Sequence, residues 1–177
     1  MNLVCSVLGL AVVFQTPMPD RSIVAEKMKA LSFLVGQWEG SGRIQVPGGP
    51  LVAANARENV QYRLSGQALL VEGLGTRKAE DGKTDQTVHE SIGLITWDMT
   101  KEKYVMHAMT SKAGSVEPTI EVSEKTLVWS FKTNTGNTIR YTIKINDKGQ
   151  WVEDGEWTIK GEKWLKFFEM TLDKKSP

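Results

Sequence analysis

Cysteine occurs once in the 177 residues, at Cys5. That excludes a disulfide framework, and beyond Cys5 the chain has neither a thiolate nucleophile nor a cysteine-ligated metal. Histidine occurs only at His89 and His107, so imidazole chemistry has two candidates in all. No charge dominates, with 22 Lys and Arg against 21 Asp and Glu, and there is no basic patch of the kind that nucleic acid or an anionic membrane surface requires. The one long apolar run, Leu3 to Phe14, is too short to span a bilayer at 1.5 Å per residue. It has the length of a signal-peptide core, so residues 1–19 are expected to be an export leader or an N-terminal extension. The expected location is periplasmic or extracellular, and one domain is expected over residues 20–177.

What the chain does have is tryptophan, six in all, each needing apolar cover for its ring and a partner for its N–H. Val24, Met28, Leu31 and Val35 recur at helical spacing, with Asp20 or Ser22 as cap and Gly36 as stop, which predicts one short amphipathic helix. From Trp38 onward the period is two, and turn residues recur at short intervals: Gly48-Gly49, Ser65-Gly66, Asp81-Gly82, Asp98 to Lys101, Ala113-Gly114, Ser123-Glu124, Thr135 to Asn137, Asp147 to Gly149 and Lys160-Gly161. These predict roughly ten strands. No segment after Gly36 can serve as a parallel crossover, so the expected fold is all-β, an up-and-down antiparallel barrel with a short N-terminal helix.

A three-residue loop at Asp147 to Gly149 sets Ile145 opposite Trp151, Ile143 opposite Glu153, Tyr141 opposite Gly155 and Ile139 opposite Trp157 on one face. The other face carries Arg140, Thr142, Lys144, Asp154 and Glu156 and reads as solvent. Carrying this register through a two-residue Lys160-Gly161 turn places Trp164, Lys166, Phe168 and Met170 inward, with Lys166 opposite Gly155 and diagonal to Glu153. The interior is then aromatic and aliphatic except for Tyr141, Glu153 and Lys166. In the middle of the chain, a five-residue turn from Asp98 to Glu102 puts His107 opposite Gly93 and His89 opposite Ser111, about 13 Å apart at the strand rise. A shared metal is therefore not expected. Both faces of that hairpin are half apolar, and the sequence does not choose between them.

The stretch Leu31-Ser32-Phe33-Leu34-Val35-Gly36-Gln37-Trp38-Glu39-Gly40-Ser41-Gly42 resembles the opening of a bacterial family of exported domains of unknown function related to lipocalins. The segment from Ile92 to Asp98 and on through Val105 is similar to the middle hairpin of that family. In the wider calycin superfamily a short helix leads into Gly-x-Trp on the first strand, and a Lys or Arg of the last strand packs across that Trp. The resemblance implies this role for Lys166 against Trp38. The Trp38-x-Gly40-x-Gly42 opening also resembles nitrobindins, which bind haem through a histidine near the end of the chain. This sequence has none after His107, so neither haem nor another cofactor is expected.

The expected function is non-enzymatic binding of a small, largely apolar molecule. Trp38, Tyr141, Glu153, Trp157, Lys166 and Phe168 are the candidate site, Lys166 and Tyr141 receiving an acid or carbonyl group and the aromatic rings lining the rest. A structural role for the same residues, with Lys166 stacked on Trp38 and neutralised by Glu153, is compatible with this. Two other classes stay open: a small-barrel enzyme using His107 or His89 as base, and a solid barrel acting through its outer surface. An open cavity, a histidine at the floor of a cleft, or a filled interior distinguishes the three. No phosphate loop, paired catalytic carboxylates or Ser/His/Asp arrangement is visible.

Overall fold

The structure, a computed structural model, describes residues 21–45, 49–112, 114–158, 161 and 163–176. The leader expected over residues 1–19, Cys5 and the Asp20 cap lie outside them. No described helix is long and apolar enough to cross a membrane.

The amphipathic segment folds as α1 (Arg21–Met28) followed by a 3-10 helix (Lys29–Leu34). Because the second part advances three residues per turn, Leu31 and Leu34 share a face with Met28, and all three are fully buried. Leu34 thus takes the inward place expected of Val35. Burying such side chains contributes about 1.5–3 kcal/mol each, which docks a helix too short to be stable alone.

Eleven strands follow: β1 (Gly36–Gln45), β2 (Leu51–Arg63), β3 (Ala68–Lys78), β4 (Asp85–Asp98), β5 (Lys103–Thr110), β6 (Gly114–Val116), β7 (Thr119–Ser123), β8 (Thr126–Lys132), β9 (Thr138–Ile145), β10 (Trp151–Thr158) and β11 (Leu165–Lys174). They form one antiparallel sheet in the order β6-β5-β4-β3-β2-β1-β11-β10-β9-β8-β7, so each strand pairs with its sequence neighbour except at two places. The first and last strands pair with each other, Trp38 opposite Lys174 and Gly42 opposite Met170. The two edges, β6 and β7, do not pair, yet only Glu117 and Pro118 separate them in the chain. A two-residue link forces the edges together, and β5 also touches β7. The sheet is therefore curled and barrel-like, with a seam between β6 and β7.

The helix occupies one end. There the Tyr62 hydroxyl donates to the Met28 carbonyl at 3.0 Å and the Tyr104 hydroxyl to the Lys27 carbonyl at 2.7 Å. Lys27 Nζ lies 4.9 Å from the Trp97 ring centroid. The Trp38 indole N–H donates 2.8 Å to the carbonyl of Leu34, satisfying the end of the 3-10 helix. Beneath it, Leu69, Ile95, Leu127, Trp151 and Leu172 complete the core.

Two register expectations fail. In β4–β5, Asp98 pairs with Lys103, because the Asp98 carboxylate accepts the N–H groups of Thr100 and Lys101 and tightens the loop to residues 99–102. His107 therefore lies opposite Leu94, not Gly93, and the inner face carries Gly93, Ile95, Trp97, Met106 and Ala108. In β10–β11 the strands align two residues further along, Glu153 with Met170 and Gly155 with Phe168, and then bulge between Gly155 and Glu156. The bulge leaves Phe167 as the extra residue and sets Lys166 opposite Glu156, on the outside.

Candidate functional site

Alternation along β2 puts Ala54, Ala56, Glu58, Val60 and Tyr62 on the inner face, one acid in an otherwise apolar row with a tyrosine at its end. Glu58 pairs with Trp38 on one side and Gly73 on the other. A Cβ at Gly73 would lie 2.8 Å from Glu58 Oε1 and 2.5 Å from Ser91 Oγ. The missing side chain is thus what gives the Glu58 carboxyl and the Ser91 hydroxyl their space. Gly40 has a different reason to be glycine, because its Cβ would lie 2.2 Å from the Thr171 carbonyl oxygen where β1 and β11 approach closely.

An open cleft of about 700 Å³ is bounded by β1 to β5 along the register row Trp38, Glu58, Gly73, Ser91 and Thr110, with the neighbours of each. Behind its acid lies a second one. Glu153, on β10, is 9% exposed and accepts the Trp151 indole N–H at 3.2 Å; the Trp151 ring meets Trp38 edge-on with centroids 5.7 Å apart. Burial pushes the Glu153 carboxyl up to about 7, against the stabilising Trp151 hydrogen bond. Burial, together with the charge of Glu153, pushes Glu58 up to about 8. Neither acid has a cationic partner within ion-pair distance among the described residues.

An aromatic cluster lies on β8, β9 and β11. Tyr141 stacks on Trp129 at 4.2 Å, with Phe167 and Phe168 edge-on at 5.8 and 5.9 Å. Burial and the Glu153 charge push its hydroxyl well above the usual tyrosine range.

The six residues expected at the site divide accordingly. Trp38 borders the cleft. Tyr141, Glu153 and Phe168 lie on the same curled inner face, and Trp157 is half-buried opposite Ile139 and Leu165. Lys166 does not belong. Its side chain is 47% exposed and paired with Asp154 at 2.6 Å and Glu169 at 3.1 Å on the outer surface. The cation on Trp38 is Lys174 instead, with Nζ 5.1 Å from the ring centroid. Gly36 accommodates it, since a Cβ there would lie 2.8 Å from Lys174 Cε. Trp164, expected inward, has the Arg140 guanidinium over its ring at 3.9 Å. His107 is an outer residue 3.3 Å from Glu117, and neither histidine borders the cleft. His89 is exposed, and partial burial with nearby Lys112 lowers its pKa. The missed residue is Glu58, whose signal was its place as the lone charge in the β2 row.

No family model matches the chain, and no curated protein does. Among solved structures it is similar to one titled "Crystal Structure of Rv2717c from M. tuberculosis", with 12% identity and a TM-score of 0.62, over 86% of this chain and 99% of that one. At that identity the likeness is one of fold.

Proposed function

We propose that this is a calycin-like barrel that binds a small, largely apolar molecule in its inner cleft without transforming it. The cleft itself carries the reading: about 700 Å³ falls within the range of small-molecule sites, and a barrel filled by its own side chains would not leave it. Glycine at position 73, where a larger residue would occupy the space, supports it further. The acid-bearing row supplies a polar end, in place of the Lys166 end expected from the sequence. An enzyme using His89 or His107 is disfavoured because neither borders the cleft.

Native mass spectrometry on protein purified without denaturation tests the reading. A retained mass that disappears in Ser91→Phe, which fills the cleft from β4, is expected. A wild-type protein that carries nothing and takes up none of a panel of apolar compounds would overturn it.

A further inference from the structure

We infer that the molecule held in the inner cleft carries a basic nitrogen, an organic amine or amidine whose cation is met by the Glu58 carboxylate with Glu153 behind it. This inference rests on the binding reading above and names the chemistry of the ligand.

The first observation is where the countercharges lie. Arg43 with Glu169, Lys166 with Asp154 and Glu169, Arg140 with Glu156, and Lys175 with Glu39 all pair through side chains that are partly or largely exposed. The inner acids receive none of these cations, and Lys174, the inward Lys next in register, lies over the Trp38 ring. The second observation is the placement of the two acids. Glu58 reaches into the cleft over Gly73, while Glu153 is sealed behind it with a single indole N–H as donor. A carboxylate short of water and countercharge is an incomplete ion pair, and a ligand that brings the cation completes it. An anionic ligand would instead add a third negative group, and a neutral alcohol would leave the deficit in place. The third observation is the Trp38 ring, which borders the cleft from the inner face and suits a cation that carries a hydrocarbon body over a hydrated metal ion.

Both acids have raised pKa values, so a bound cation must displace the protons they hold. The other titratable groups at inward positions around them are Tyr141, His89 and Lys174, of which Tyr141, its pKa raised by burial, stays neutral across the range between pH 6 and 9. His89 has its pKa lowered, so it titrates below the two acids.

The experiment uses the purified full chain and two series of head groups on common tails: octylamine, octanol and octanoate, and 2-phenylethylamine, 2-phenylethanol and 3-phenylpropanoate. Binding is followed by tryptophan fluorescence and by calorimetry at about pH 8.5. The amine of each series is expected to bind at least about tenfold tighter than its alcohol, with the acid weakest. Near pH 7, calorimetry in buffers of different ionisation enthalpy should show proton release on amine binding. Glu58→Gln should cost the amine about tenfold and leave the alcohol unchanged; Glu153→Gln, buried behind it, should move the amine in the same direction by less. An alcohol or acid that binds as tightly as its amine overturns the inference while leaving the binding reading standing. Failure of every compound removes both.

Discussion

Glu58 and Glu153 are acids held where charge is costly, and the cost appears as a pH dependence of folding. In the unfolded chain both titrate near 4.5; in the fold they reach about 8 and about 7. Between those values the folded state holds protons that the unfolded state has lost, so stability falls as pH rises from about 4.5 to about 8. Each tenfold difference in proton affinity between the folded and unfolded chain corresponds to about 1.4 kcal/mol. Replacing Glu153 by Gln keeps an acceptor for the Trp151 N–H and removes the charge, so urea unfolding should find the variant more stable than wild type by about 1–3 kcal/mol at pH 8.5 and equal to it at pH 4. Equal stabilities at both pH values would mean that water reaches Glu153 freely. The two lysines near the end of the chain separate as cleanly. Lys174→Met removes the cation over Trp38 and should cost about 0.5–1 kcal/mol. Lys166→Met should cost less than about 0.5 kcal/mol, and its effect should add to that of Glu153→Gln with no coupling, because the two side chains are on opposite faces of the sheet.

At the scale of elements, what the sequence made legible depended on how tightly each turn was specified. The β9–β10 hairpin follows its expected pairing from Ile145 with Trp151 to Ile139 with Trp157. Its loop is closed by Asn146, whose side-chain oxygen accepts the N–H groups of Lys148 and Gln150, and by Gly149 at φ 76°, so its register has little freedom. On the far side of β10, β11 begins only at Leu165, four residues past Gly161. A bulge inserts one residue without any composition of its own, and one residue exchanges the faces of a strand; that is how Lys166 moved from the expected interior to the surface. Trp38 was legible because a Gly-x-Trp pair stands out, whereas Glu58 needed the strand to be assigned before its row could be seen. The bulge makes its own prediction. Gly155 sits under it, and a Cβ there would lie 2.8 Å from Phe168 Cβ and 2.9 Å from Tyr141 Cε1. Gly155→Ala should therefore destabilise by about 1–3 kcal/mol through forced repacking, seen as a lower urea midpoint with altered near-ultraviolet circular dichroism from the Tyr141 and Trp129 stack. An unchanged spectrum and midpoint would show that the bulge yields freely.

At the scale of the whole molecule, the alternation and the turns implied an up-and-down meander, but they could not show where its circle would join. The joint is the ladder between β1 and β11, while the break falls in the middle of the chain between β6 and β7. The physical reason is visible in strand length. β6 has three residues and β7 five, too short to register against each other across Glu117-Pro118, and Pro118 has no N–H to donate. β1 and β11 are ten residues each, and Gly40 and Gly42 let them approach. The fold is thus held shut by its ends and left unzipped at its middle. Hydrogen exchange should display this directly: amides of β6 and β7 without partners in β5 or β8 should exchange orders of magnitude faster than those of β1 and β11, whose protection should approach that of global unfolding. Uniform protection around the circle would mean that β6 and β7 pair in solution, closing the seam. A ligand that enters the cleft along β1 to β5 touches Thr110 at the end of β5, beside β6. Bound octylamine should therefore slow exchange in β5 and β6 and leave β9 and β10 unchanged, and slowing confined to β9 and β10 would place the ligand against the aromatic cluster instead.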